Sequence, residues 1–339
     1  VRKTITFDDV LLVPKYSNIL SRKFIDLSVD VSHLGEVLLC PFISSPMDTV
    51  TEEVMARAMC QSGGLGIIHR YNTIQQQAKI VASSCADKNS RAGAAVGVSG
   101  DFEERACAVY DAGARVICID VAHGHHALMK MALKRLRNIF GDSVHIMAGN
   151  VATLEGFNDL ADWGANSIRV GIGGGSICST RVQTGHGVPT LQSVLDCAIS
   201  DRDALVIADG GMRSAGDIAK AVAAGADLVM CGSMFAGTAE SPGEVFSAPD
   251  NKKYKVYRGM ASVEAQNDWK GSHNSVEGIS TTIPYKGPVG GIIDSMKKQL
   301  TSACSYSGAS NLREFYHKSE FILQSTSAQS EGKTHILVS

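Results

Sequence analysis

This 339-residue chain has no Cys-x-x-Cys pair, no low-complexity block, almost no net charge, and no apolar run near the roughly 18 residues of a membrane span. Each absence excludes something. A formal charge of −2, from 32 basic and 34 acidic residues, lacks the basic excess of a nucleic-acid binder. Without a long apolar segment no membrane partner is expected, and Val1-Arg-Lys-Thr-Ile-Thr6 has none of the apolar core of a signal peptide. The nine cysteines are odd in number, scattered, and unsuited by spacing to a zinc site. Apart from Cys178 they read as buried, reduced thiols of a cytoplasmic protein. Length permits one large domain or two ordinary ones, and no compositional break marks a second.

What is present is an alternation. From about residue 40, short apolar runs ending in Gly, Asp or Ser are followed by longer segments of helical period. The eight runs occupy 41–46, 65–69, 94–98, 116–120, 145–149, 167–171, 204–208 and 227–231. Helical segments lie at 52–61, 102–112, 127–140, 153–163, 190–199 and 215–224. Such a chain predicts an α/β fold, a (β/α)8 TIM barrel with function at the C-terminal ends of its strands. The alternative is an open doubly wound sheet. Asp111-Ala-Gly-Ala114, Asp162-Trp-Gly-Ala165 and Ala224-Gly-Ala-Asp227 mark helix-to-strand turns of one kind. Residues 1–39 read as an irregular N-terminal extension. Residues 240–290 read as a long insertion after the eighth strand, structureless and so a lid or disordered, with a flap at about 259–287. A helix resumes at 292–300, and 325–339 is a polar, loosely held tail. The whole of 1–339 reads as one catalytic domain.

The chemistry concentrates in Arg169-Val-Gly-Ile-Gly-Gly-Gly-Ser-Ile-Cys-Ser-Thr-Arg181. Gly173, Gly174 and Gly175 allow positive φ and can turn N–H groups onto an anion, with Ser176 adding a hydroxyl. Cys178 then stands just past the cradle, as a nucleophile would on a phosphorylated substrate. Two later loops offer matching groups. Asp209-Gly-Gly-Met212 leads through Ser214 into a helix, and Cys231-Gly-Ser-Met234 follows the eighth strand. Gly210, Gly211, Gly232 and Ser233 supply phosphate donors, and Asp209 can accept from ribose hydroxyls. Taken singly, each loop is equally an ordinary tight turn.

Together with Ser44-Ser-Pro-Met-Asp-Thr49, Asp120-Val-Ala-His-Gly124, Ala148-Gly-Asn150, Tyr257-Arg-Gly-Met260, Glu277-Gly278 and Pro284-Tyr-Lys-Gly287, these loops closely resemble the inosine monophosphate dehydrogenase and guanosine monophosphate reductase family. The resemblance runs in order along nearly the whole chain. It implies that Cys178 bonds to C2 of a purine nucleoside monophosphate while hydride moves between that carbon and a nicotinamide. The dehydrogenase sends hydride to NAD and hydrolyses the adduct. The reductase releases ammonia from GMP and takes hydride from NADPH. A purine C2 between two ring nitrogens is electrophilic enough for thiolate attack.

Which of the two reactions applies turns on two places. The dehydrogenase's regulatory modules would fall where this chain has only the short 82–91 junction, which leans toward the reductase. Between Met260 and Glu277 there is no Arg and no Tyr, whereas dehydrogenases use an Arg–Tyr pair in the flap to activate water. Lys270 or His273 could in principle replace that base, but a neutral Lys near pH 7 needs strong desolvation. The stretches 301–309 and 319–322 also look reductase-like, while 45–48 and 92–124 look like the dehydrogenase.

By resemblance, Cys178 is the nucleophile and Thr180 with Glu277 handles protons, Glu277 also meeting the purine edge. Ser45 and Met47 line the ribose and base pocket. Ser176, Ser233 and Tyr257 contact phosphate, backbone groups of Gly259 and Met260 meet the base edge, and Arg258 is a further substrate-binding residue. Asp120, Gly124 and Asn150 face the nicotinamide end. Arg70 is either a dinucleotide phosphate contact or a solvated arginine. Carbonyls of Gly173, Gly175 and Cys178 would hold a monovalent cation such as K+, and the assembly would be a homotetramer. His123, His125 and His126 could form a metal cluster but read as a surface loop. Two other readings stay open: a non-catalytic nucleotide binder, and a flavin-dependent barrel holding FMN phosphate at Asp209-Gly-Gly211 and Gly232-Ser233.

Overall fold

The computed structural model describes residues 1–31, 36–87, 90–249, 251–271 and 277–332. Eight parallel strands close into a barrel: β1 (Phe42–Ser44), β2 (Leu65–Ile68), β3 (Gly93–Val96), β4 (Val116–Asp120), β5 (His145–Val151), β6 (Ser167–Val170), β7 (Leu205–Asp209) and β8 (Leu228–Cys231). Every run read as a strand is one. The open-sheet alternative is excluded, because β8 pairs with β1 through Val229–Phe42, Met230–Ile43 and Cys231–Ser44. Residues such as Ile117, Cys118 and Ile119 are fully buried, as strands enclosed on both faces require.

Helices cover the barrel, and their ends follow local chemistry. Thr153 and Ser214 accept from the backbone three residues on, capping Leu154–Asp162 and Ala215–Ala223. The three repeated turn phrases share one geometry. Gly113, Gly164 and Gly225 all have φ near +110°, at 111, 112 and 107°. The residue after each donates back five positions, Ala114 to Val109, Ala165 to Leu160 and Ala226 to Ala221. This is a helix stop that a side chain would strain. The helix Ile74–Ser84 is not among the segments that periodicity picks out. Its apolar stripe is interrupted by Gln75-Gln-Gln77, and its start is a capping box between Thr73 and Gln76.

The 240–290 insertion is not structureless. Phe246–Ser247, Lys253–Arg258 and Ser280–Pro284 form an antiparallel sheet, and Val263–Lys270 is a helix. Residues 272–276, including His273, and the Lys270 side chain lie outside what the structure describes. The N-terminal extension also carries short elements. Val10–Leu12 pairs with Phe321–Leu323, tying the two ends of the chain together. The C-terminal helix runs over Val289–Tyr306, longer than 292–300, and the polar tail holds a short helix at Thr326–Glu331.

Candidate active site

A cleft of about 280 Å³ opens among the loops that follow the barrel strands. Its centre is the cysteine loop after β6. Cys178 is exposed, and its thiol donates to Thr180 Oγ1 at 3.1 Å; Thr180 donates in turn to Glu277 Oε2 at 2.9 Å. The chain of donors therefore points from sulfur to carboxylate. Backbone pairing brings Glu277 here. Ser179 N donates to Glu277 O at 2.9 Å, Ile279 N donates to Ile177 O at 3.1 Å, and Cys178 bridges Gly278. A Cβ on Gly278 would stand 2.8 Å from Ser262 N, so only glycine lets this segment pack against the 259–262 turn beside the cysteine loop.

One half of the cleft is built from close-packed glycines. Gly210 and Gly211 have φ of +83 and +80°, and a Cβ on Gly210 would meet Gly175 N at 3.1 Å. The loops after β6 and β7 thus lie backbone to backbone, leaving their remaining N–H groups for an anion. Tyr257 is buried, with its hydroxyl 3.5 Å from Ser176 Oγ. Burial raises its pKa, so it stays a proton-bearing donor. Lys286 Nζ donates to Ser233 O at 2.5 Å and Met234 O at 3.4 Å, holding the third loop from behind.

The opposite half carries Arg70, Tyr71, Asp120 and Asn150. Arg70 Nη2 donates to Asp120 O at 3.2 Å, and its guanidinium lies 5.1 Å from the Tyr71 ring centre. Its Nε is buried with no hydrogen-bond partner among the described residues. Between the halves sits Arg169, hydrogen-bonded to both Asp120 and Asp209. Asn150 Nδ2 joins Asp209 Oδ2 to Gly171 O, at 2.8 Å each.

Ser45, Met47, Gly173, Ser176, Gly232, Ser233, Gly259 and Met260 line the cleft alongside the residues above. Two expected site residues do not. Arg258 points away, donating from Nη2 to Asp48 at 2.6 Å and from Nη1 to Asp268 at 2.5 Å. It fastens the flap helix Val263–Lys270 to the β1 loop rather than meeting a ligand. Gly124 is a packing glycine: a Cβ there would lie 3.0 Å from the Gly149 carbonyl carbon. Gly175 O already accepts from Cys178 N at 3.1 Å, leaving one lone pair for a cation. His125 pairs with Asp159 at 2.8 Å and His126 Nδ1 accepts from Leu128 N at 3.1 Å. No metal-holding cluster occurs among the described residues.

Sequence alone gives Arg169 and Tyr71 no site role. Arg169 does carry a signal, a charge inside an apolar strand buried on both faces, which demands partners. Tyr71 carries none.

A model of the IMP dehydrogenase / GMP reductase domain matches residues 4–335. The chain belongs to that family. It is similar to the inosine-5'-monophosphate dehydrogenase of Cryptosporidium parvum, 36% identical over 390 aligned positions that cover 99% of this chain and 96% of the other. It is also similar to the GMP reductase of Leishmania major, 31% identical over 476 positions covering 98% and 96%. Among solved structures, a cysteine-to-alanine variant of GMP reductase from Trypanosoma brucei, in complex with guanosine 5'-monophosphate, superposes with a TM-score of 0.93. That match is 28% identical and covers 99% of this chain and 98% of that one. Alignments of 390 and 476 positions exceed this chain's 339 residues, so both relatives carry segments without a counterpart here. The longer alignment belongs to the reductase. Additional length is therefore found under both names and does not by itself separate the two activities.

Proposed function

We propose that this member of the family is a GMP reductase, converting GMP and NADPH to IMP, NADP+ and ammonia. One observation carries the reading: the hydrogen-bonded series Cys178–Thr180–Glu277. It connects the nucleophile to a carboxylate through one hydroxyl, which is what loss of ammonia needs. Cys178 gives its thiol proton through Thr180 to Glu277 and adds as the thiolate to C2 of the purine. Glu277, through Thr180, passes a proton to the 2-amino nitrogen, and the C2–N bond breaks with its electron pair leaving on ammonia. NADPH, when bound, supplies hydride to C2. The C2–S bond then breaks, its electron pair returns to sulfur, and IMP is released. The balance is GMP, NADPH and two protons to IMP, NADP+ and ammonium.

The glycine loops with Ser176, Ser233 and Tyr257 suit the nucleotide phosphate, and Asp209 suits its ribose. The buried, unpartnered Nε of Arg70 and the nearby Asp120 suit the dinucleotide, one offering a donor and the other an acceptor. We place a monovalent cation, if one is used, at the carbonyls of Gly173, Gly175 and Cys178, and expect a homotetramer.

The dehydrogenase reading is favoured by the relatives of that name, two of them 33% and 36% identical. It requires a base for water, and the flap sequence between Met260 and Glu277 offers no Arg or Tyr. One preparation assayed both ways decides. NADPH oxidation with GMP and release of ammonia is expected; activity confined to IMP with NAD would sink the reductase.

A further inference from the structure

Arg169 leaves β6 for the floor of the cleft, where it is 7% exposed. Its Nη1 donates to Asp120 Oδ1 at 2.5 Å, and its Nε and Nη2 donate to Asp209 Oδ2 at 3.0 and 2.9 Å. β7, bearing Asp209, is its direct neighbour in the barrel; β4, bearing Asp120, lies beyond β5. One guanidinium therefore reaches across the barrel mouth to both sides of the cleft. Each carboxylate is held through one oxygen. The second oxygen of each makes no hydrogen bond among the described residues, and both side chains line the cleft.

The arrangement is demanding. Burial disfavours a charged guanidinium, and here two carboxylates outweigh it and keep Arg169 charged well beyond its ordinary range. Two anions around one cation also leave the cluster net negative, so each free oxygen remains a strong acceptor for a ligand hydroxyl. The planar fork ties the orientation of one carboxylate to that of the other, which a lysine point charge cannot do.

We propose that Arg169 is a positioning residue that couples the two halves of the cleft, so that a nucleotide engaging Asp209 favours a dinucleotide engaging Asp120, and the reverse. The proposal rests on the functional reading that assigns these two ligands to these two halves. A ligand hydroxyl on Asp209 fixes that carboxylate, thereby Arg169, thereby Asp120. The second ligand then meets a group already ordered and loses less freedom on binding.

The test uses the full chain carrying Cys178→Ala, so that ligands bind without reacting. Calorimetry gives the affinity for GMP with and without saturating NADPH. Coupling in the usual range of about 5–150-fold is expected, falling to about 1 when Arg169→Lys is added, with each ligand alone still binding. Coupling retained in Arg169→Lys, or absent from the Cys178→Ala parent, overturns the proposal. Should Arg169→Lys not fold, Asp120→Asn removes the charge at one end of the grip and must also lower the coupling; undiminished coupling there overturns it equally. If the parent binds IMP and NAD but not GMP and NADPH, the reductase reading fails instead. The same cycle run with IMP and NAD then supports or overturns coupling through Arg169 on the same criteria.

Discussion

Thr180 and Glu277, 97 positions apart in sequence, are joined by a hydrogen bond of 2.9 Å. Thr180 is also the acceptor for the Cys178 thiol at 3.1 Å. A hydroxyl in this position can take a proton from one side while giving one to the other, so in the proposed reaction Thr180 and Glu277 act as a unit. Thr180→Val and Glu277→Gln should each lower kcat by about 10²–10⁴-fold, the usual worth of a positioned proton-transfer group. GMP affinity should change far less. Stopped-flow absorbance at the nicotinamide band and equilibrium binding measure the two quantities separately. Full turnover by Glu277→Gln would exclude proton transfer through this series.

Cys178 is an exposed thiol at the lip of a glycine-built cleft, whereas Cys40, Cys118, Cys197, Cys231 and Cys304 are buried. Burial pushes Cys118 and Cys231 up to about 12, leaving them inert as nucleophiles. Cys178→Ala should therefore abolish turnover while nucleotide binding persists. Mass spectrometry of enzyme quenched during turnover should show a nucleotide adduct on the peptide bearing residue 178 and on no other cysteine. Turnover by the alanine variant would refute covalent catalysis.

The parts of the fold that are legible in the sequence are those whose signal is local. The eight barrel strands are short, mainly apolar runs, and the turn glycines at 113, 164 and 225 recur in one phrase because one backbone geometry needs them. The 240–290 insertion escapes such a reading because its strands lack an apolar inner face: Lys253–Arg258 buries Lys255 with Tyr257 and exposes Val256, and Ser280–Pro284 is largely polar. Lys253–Arg258 has a half-exposed face, and its pairing with Ser280–Pro284 spans a helix. Arg258 looks like a ligand contact in sequence because it stands inside Tyr257-Arg-Gly-Met260, one of the motifs that carry the family resemblance. Its partner Asp48 lies 210 positions away, a separation no local pattern encodes. Arg169 is legible in principle, since an arginine in a strand buried on both faces must be paired.

Gly278 is where the two sides of the flap stem press together, next to its backbone bridge to Cys178. An added Cβ would come 2.8 Å from Ser262 N and 3.4 Å from Gly259 Cα, both backbone atoms that cannot swing aside. Gly278→Ala should push the stem outward and carry Glu277 off Thr180. Displacements near 1 Å in such sites cost about 10²-fold in rate, so kcat should fall to that degree while the thermal midpoint, set by the barrel, moves little. A variant with unaltered kcat would mean the stem is free to shift without moving Glu277.

Asp227, at the opposite end of the barrel, offers a stability prediction with a definite sign. Its Oδ2 accepts from Val206 N at 2.8 Å, yet burial dominates and raises its pKa from 3.8 to about 6. The folded state thus binds the proton more tightly than the unfolded chain. Below about pH 4 both states are protonated and the residue costs nothing; as pH rises toward about 6 only the unfolded chain ionises readily, and stability is lost. The full shift corresponds to about 3 kcal/mol as an order of magnitude. Asp227→Asn keeps an acceptor for Val206 N without the charge. Chemical denaturation should find it more stable than the parent at pH 7, with the difference shrinking as pH falls through 6 toward 4. A difference that grew on acidification would mean the carboxylate is stabilised in the fold, and the assigned cause, burial of the charge, would be wrong.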